Sequence, residues 1–148
     1  MATKTAVRSK REDLLNRVSG RLWAYEPVRS RDLPLDLSLS EEGELTLVGY
    51  APTLTIKEAI LDIAGSIDGV KEVKDEIFAD PSLELAVAQK LSEDEATKHI
   101  PPGAVQVFAQ VGDIVLVGDL KQQDREAVLR VAESVPGVRQ VVDRMEEG

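Results

Sequence analysis

The sequence has 148 residues, a formal net charge of −9 and no cysteine. A chain of this length forms one ordinary domain or two small ones. Its negative charge argues against general nucleic-acid binding, because polyphosphate repels an acidic protein unless a local patch reverses the sign. The absence of cysteine excludes disulfides, thiolate metal sites and a cysteine nucleophile.

Positive charge is concentrated at the start of the chain. Residues 1–31 contain eight basic and three acidic side chains and carry a net charge of +5, whereas the other 117 residues carry −14. Residues 1–8 are predicted to form a basic tail. The chain shows neither the apolar core of a signal peptide nor a run long enough to span a membrane. We therefore expect no transmembrane segment and a cytoplasmic location.

The first half of the chain changes from a helical to a strand period. Apolar residues three and four apart indicate an amphipathic helix, and alternating leucines then indicate a strand with one buried face. The predicted elements are a helix at 9–23, strands at 33–39 and 45–49, a helix opened by a capping box at 55–58 and ended by Gly69, and a strand at 70–78.

The second half repeats this order. When the first half of the sequence is aligned with the second at a shift of 69 residues, 14–22 falls on 83–91 and 47–49 falls on 116–118. At a shift of 68 residues, 57–60 falls on 125–128 and 69–73 falls on 137–141. Asp80 followed by Pro81 predicts an N-cap and a helix start. The sequence therefore predicts an α+β protein of two α-β-β-α-β units, 9–79 and 80–148, each a three-stranded mixed sheet with two helices on one face.

Two short motifs occur at matched spacing in both units. Leu47-Val48-Gly49 precedes Gly69-Val70-Lys71-Glu72-Val73, and Leu116-Val117-Gly118 precedes Gly137-Val138-Arg139-Gln140-Val141. This pattern resembles the BON domain (bacterial OsmY and nodulation) family over nearly the whole chain. The resemblance implies the mixed three-stranded sheet, no catalytic activity, and contacts with phospholipid or other macromolecules. Members are generally envelope or periplasmic proteins, so a chain without a signal peptide departs from them.

The motif glycines have structural interpretations. Gly49 and Gly118 are expected to relieve backbone strain where a strand turns toward a helix, and Gly69 and Gly137 are expected to cap helices, with Val70 and Val138 folding back beyond them. The chain contains no glycine-rich phosphate loop. We expect no nucleotide, no other cofactor and no metal.

The candidate binding residues lie in the basic first helix and the segment that follows it. The structural interpretation is a solvated helix face, with Trp23 closing the edge of the core. The functional interpretation is a cationic face for an anionic phospholipid surface or an acidic protein partner, with aromatic side chains as anchors. The residues are Arg17, Arg21, Trp23, Tyr25, Arg29 and Arg31.

Asp75 and Asp143 occupy equivalent positions on the last strand of each unit. Each carboxylate is expected either to accept backbone N–H groups, or to join the other in a pair with split pKa values suited to acid and base catalysis. His99 is the only histidine, and one histidine without thiolates does not make a zinc site.

The sequence favours a non-enzymatic tandem module that binds or scaffolds. One alternative is a homo-oligomeric structural or stress protein without lipid affinity, which self-associates through exposed sheet edges. A remote alternative is a hydrolase that uses Asp75 and Asp143. The sequence does not identify the partner or the process.

Overall fold

The computed structural model describes residues 2–148, with side chains from Lys10 onward. The side chains of the predicted basic tail therefore lie outside the described residues. The chain divides into two compact units, Met1–Ile77 and Phe78–Gly148.

Unit 1 contains three helices and three strands. Its sheet has the order β1-β2-β3, and β1 pairs with β2 in antiparallel register, so that Leu37 lies opposite Leu47. The elements are α1 (Ala2–Ala24), α2 (Glu26–Arg31), β1 (Leu35–Leu39), β2 (Glu44–Ala51), α3 (Leu54–Gly65) and β3 (Glu72–Ala79), with the unit boundary inside β3.

Unit 2 repeats the arrangement with two helices. Its sheet has the order β4-β5-β6, in which β4 pairs antiparallel and β6 pairs parallel to the central strand β5. The elements are α4 (Asp80–Glu93), β4 (Val105–Gln110), β5 (Asp113–Leu120), α5 (Gln122–Glu133) and β6 (Gln140–Glu147). The predicted α+β class and the duplicated three-stranded mixed sheets are confirmed.

Each unit has its own apolar core between its helices and one face of its sheet. The predicted helix faces supply much of it, since apolar side chains three and four apart lie on the same side of a helix. The fully buried side chains include Val18, Leu45, Leu47 and Ile60 in unit 1 and Leu83, Val87, Ile114, Leu116 and Val128 in unit 2.

Several helix boundaries differ from the prediction. Helix α1 begins at Ala2 instead of near Ser9, and the segment predicted as a loop before the first strand contains α2. The N-cap of α3 is Thr53, whose hydroxyl accepts the N–H of Ile56 at 3.1 Å, so the predicted capping box at 55–58 lies two residues too late. Threonine is a suitable N-cap residue at either place, although only Thr55 is followed three residues later by a glutamate, and the backbone shows that the N-cap is Thr53.

The N-cap prediction at Asp80 is also wrong. Ala79 occupies the N-cap and Asp80 is the first residue of α4, with its side chain buried. Its carboxylate accepts the N–H groups of Val111 at 2.7 Å and Gly112 at 3.0 Å, the two residues of the turn between β4 and β5. Asp80 therefore ties α4 to a hairpin turn 31 residues away, which local sequence does not indicate.

Gly69 and Gly137 lie in turns that follow the helices. Helix α3 ends at Gly65 with Ser66 as its C-cap, so Gly69 is not the residue that ends it. Gly69 has a φ of 103° and Gly137 a φ of 94°, and the next residue in each case donates its N–H to the carbonyl three positions earlier. This left-handed third position of a tight turn favours glycine.

Gly49 and Gly118 allow two strands to approach closely. Each lies inside the central strand of its sheet, and a Cβ atom there would overlap the carbonyl oxygen of Pro34 in unit 1 or of Ala104 in unit 2. The glycine is thus required by the neighbouring backbone, not by a turn from strand to helix.

Candidate functional site

The six candidate binding residues lie at the end of α1 and on α2, and we call them the α1–α2 patch: Arg17, Arg21, Trp23, Tyr25, Arg29 and Arg31. All four arginines are exposed, and Tyr25 is half-buried. Trp23 is 49% exposed, so it does not close the core as the structural interpretation required. From Lys10 to the end of α1, the buried side chains are Leu14, Val18 and Leu22.

Helix geometry divides this patch into two parts. At 3.6 residues per turn, Arg17 and Arg21 point about 40° apart, whereas Arg21 and Trp23 point about 160° apart. Arg17 and Arg21 line a surface pocket together with Asp68, from the turn after α3. Trp23 projects from the opposite side of the helix.

Arg29 belongs to the part that contains Trp23. Its guanidinium lies 3.5 Å from the carbonyl oxygen of Trp23 and 3.4 Å from that of Ala24, the last two residues of α1. A cation here offsets the negative end of the helix dipole. Arg29 is exposed, and these hydrogen bonds place its charge at the C-terminal end of α1.

Asp75 and Asp143 form equivalent ion pairs within their own units. Asp75 lies 3.1 Å from Nζ of Lys57, and Asp143 lies 2.7 Å from Nε of Arg125. Each carboxylate also accepts the N–H two residues further on, at 2.9 Å from Ile77 and 2.9 Å from Met145. Backbone N–H acceptance was the structural interpretation of these residues, and the cation from the last helix of each unit, α3 or α5, was not predicted from the sequence. The shift of 68 that aligns the helices also aligns both members of the pair.

The environment of Asp143 favours the charged carboxylate. Burial by itself raises the pKa, but the hydrogen bonds from Arg125 and from the Met145 N–H, together with the positive charge of Arg125, outweigh burial and leave the pKa lowered. A general acid needs a raised pKa at neutral pH. This carboxylate is therefore suited to an ion pair.

His99 lies in the connection between α4 and β4. Its Nε2 lies 2.9 Å from Oδ1 of Asp124 in α5, and its side chain is 58% exposed. Among the residues whose side chains are described, no group of three or more His, Cys, Asp or Glu is arranged to hold a metal ion. No helix in the described part of the chain is long and apolar enough to cross a membrane.

The duplicated units define a class of protein built from two copies of one small α+β domain. The family model of the BON domain matches residues 34–78 and 79–148, one match in each half. This chain belongs to the BON domain family, as its paired motifs predicted.

Two relatives are similar over most of the chain. The outer membrane lipoprotein DolP of Haemophilus influenzae is 26% identical over 113 residues, covering 71% of this chain and 58% of the relative. The 21 kDa hemolysin of Actinobacillus pleuropneumoniae is 29% identical over 131 residues, covering 75% of this chain and 66% of the relative. The chain thus spans less than two thirds of the length of either relative.

A solved structure shows a looser likeness. The C-terminal domain of CdsD, the structural protein of the type III secretion system of Chlamydia trachomatis, has a TM-score of 0.40 and 13% identity over 87% of this chain and 96% of that one.

The predicted cytoplasmic location is wrong. One of the two relatives is an outer membrane lipoprotein by name, which contradicts a cytoplasmic placement. The prediction depended on the first residues of the sequence as given, and those residues do not determine where a protein of this family resides.

Proposed function

We propose that this protein is a non-enzymatic binding module of the bacterial envelope that attaches to an anionic phospholipid surface through the α1–α2 patch. The observation that carries the proposal is Trp23, half exposed at the end of α1, with the Arg29 guanidinium beside its carbonyl. Tryptophan anchors at membrane interfaces and arginine pairs with phosphate. The outer membrane lipoprotein among the relatives supports an envelope location.

Electrostatics set the expected strength and orientation of this attachment. Residues 17–32 contain four arginines and two acidic residues, within a chain of net charge −9. Arg17 and Arg21 lie on the other side of α1 from Trp23, so the two arginines of α2 remain near a membrane that Trp23 enters. Basic residues near an anionic membrane contribute about 1 kcal/mol each, so two contribute on the order of 2 kcal/mol. Insertion of the Trp23 ring strengthens this, and repulsion of the remaining acidic surface turns the patch toward the membrane.

The hydrolase alternative has no support from the geometry around its two carboxylates. Asp75 and Asp143 are each engaged by a cation and a backbone N–H of their own unit. Family membership also points to a non-catalytic protein. A self-associating structural role stays a prediction, because no contact described here bears on it.

Co-sedimentation with vesicles tests the proposal. We expect the protein to sediment with vesicles of phosphatidylglycerol and phosphatidylethanolamine but not with phosphatidylcholine vesicles, and binding to fall as salt rises. The double variant Arg29→Glu/Arg31→Glu, at the two exposed arginines of α2, should lose binding. The charge-matched control Lys121→Glu/Arg144→Glu, at exposed positions of unit 2, should lose far less.

Equal loss in both double variants would mean that net charge, and not the patch, governs attachment. Failure of the unmodified protein to bind anionic vesicles at low salt would refute the lipid surface and leave an acidic protein partner as the ligand to test.

A further inference from the structure

Unit 2 contains an apolar cavity of about 320 Å³ between α4, the connection to β4, and the inner side of its sheet. Pockets of this size with apolar walls and few polar groups are typical sites for small molecules. The side chains that shape it are Leu91, Lys98, Ile100, Val105, Val107 and Val128.

The corresponding region of unit 1 is filled by its own side chains. The shift of 69 places Val28 on Thr97. Leu35 lies opposite Gly49 and Val105 lies opposite Gly118, so the matched strand registers place Leu33 on Gly103. Val28 and Leu33 are 2% and 5% exposed and belong to the core of unit 1. In unit 2, Thr97 is equally buried, but Gly103 has no side chain, and a Cβ there would meet nothing within 4 Å. The leucine that closes this region in unit 1 has thus no buried counterpart in unit 2, and the apolar wall is left open.

A single charge lies at the opening of the cavity. Among the described residues that line it, Lys98 alone is charged, and its side chain is 50% exposed. Its Nζ lies 2.8 Å from Oε1 of Glu95, which is 87% exposed. An ion pair this exposed contributes little, so another carboxylate can replace Glu95 at small cost. Thr97 is a buried polar residue of the wall, and its Oγ1 donates to the carbonyl of Leu91 at 2.6 Å.

We propose that this cavity binds a fatty acid, with the hydrocarbon chain against the apolar wall and the carboxylate on the ammonium group of Lys98. A cavity of about 150 Å³ accommodates the six carbons of benzene, so one about twice as large accommodates a chain of about ten carbons. Charge complementarity selects a carboxylate over a neutral head group. This site lies in unit 2 and shares no residue with the α1–α2 patch, so it goes beyond the proposed membrane attachment.

Amide NMR of the full chain with sodium decanoate, below the concentration at which it forms micelles, tests the site. We expect saturable shifts at Ile100, Gly103, Val105 and Val107. Lys98→Glu should weaken decanoate binding about fivefold or more, the effect of removing one exposed charge pair and adding a repulsion. The control Arg29→Glu changes the residue that the shift of 69 aligns with Lys98 and should leave the affinity unchanged.

Two further measurements address the chain and the head group separately. Val107→Phe places a larger side chain in the cavity and should abolish saturable binding while the circular dichroism spectrum is retained. Decanol should bind more weakly than decanoate. The proposal is overturned if decanoate gives no saturable shifts in unit 2, if Lys98→Glu or decanol binds as well as the reference, or if Val107→Phe leaves the affinity intact.

The same variants separate this site from the membrane attachment. Arg29→Glu is expected to reduce vesicle binding and keep decanoate binding, and Lys98→Glu is expected to do the reverse. Loss of both activities in both variants would contradict a separate site in unit 2.

Discussion

Replacement of Gly49 by alanine should destabilise unit 1 strongly. The added Cβ would overlap the carbonyl oxygen of Pro34 and lie 2.9 Å from Cδ2 and 3.1 Å from Cα of Leu35. Two of these atoms belong to the backbone, so no side-chain rotation relieves the overlap, and the start of β1 must move away from β2.

The size of the effect follows from what this movement disturbs. Overpacking costs about 1–3 kcal/mol. The same Pro34 oxygen accepts the N–H of Tyr50 at 3.2 Å, and loss of that hydrogen bond adds about 1 kcal/mol. Alanine also reduces the backbone freedom of the unfolded chain, which offsets about 0.5–1 kcal/mol of the destabilisation. We expect a net loss of about 1–3.5 kcal/mol, a large part of the free energy of unfolding of a small domain.

Urea denaturation followed by tryptophan fluorescence measures this loss, because Trp23 is the only tryptophan and lies in unit 1. Gly20→Ala is the matched control: it lies in α1, a Cβ there meets nothing within 4 Å, and alanine should stabilise the helix by about 0.5–1 kcal/mol. A Gly49→Ala midpoint at or above that of the unmodified protein would refute the close-approach argument.

Four other substitutions test unit 2 and the paired carboxylates. Val111→Asn should raise the free energy of unfolding by about 1 kcal/mol in urea denaturation, because Val111 has a φ of 49° in a two-residue hairpin turn that favours asparagine. Asp80→Ala should cost about 2–3 kcal/mol in the same assay, since it leaves two turn N–H groups without their buried acceptor; no change would mean that the turn does not depend on α4. Asp143→Asn should lower the free energy of unfolding more than Asp75→Asn does, because the side chain of Asp143 is less exposed, at 23% against 36% for Asp75. The lowered pKa of Asp143 implies stability that is present above its ordinary value of 3.8 and lost as the pH falls through the folded value, so acid titration by circular dichroism should show a smaller acid dependence in Asp143→Asn.

The architecture could be predicted from the sequence because the two patterns that indicate it are local and occur in both halves of the chain. Apolar spacing sets the helices and strands, and the matched glycine motifs identify the repeat. Recognition of the BON family depended on those motifs, and the comparison with known proteins confirms it.

The details that failed depend on contacts distant in sequence or on backbone conformation. Asp80 followed by Pro81 has the pattern of an N-cap, but its carboxylate binds a turn that folds back from residues 111 and 112. Gly49 was assigned a role in its own backbone, whereas the backbone of Pro34 requires it. Such roles become visible only when the neighbouring strand is in place.

The candidate site was partly predictable. The concentration of arginines around Trp23 is visible in the sequence, and exposure of that ring is a property of the fold. Helix periodicity alone predicts that Arg21 and Trp23 point to opposite sides of α1. The cation partners of Asp75 and Asp143 were also within reach, because the repeat aligns Lys57 with Arg125.

The emission of Trp23 during titration with anionic vesicles tests the central claim most directly, because this half-exposed ring is the only tryptophan in the chain. Attachment through the α1–α2 patch predicts a saturable shift to shorter wavelength with phosphatidylglycerol vesicles at low salt, reversed by added salt and absent with phosphatidylcholine. Sedimentation of the protein with those vesicles while the Trp23 emission stays unchanged would contradict the account, since the membrane would then be held by another surface.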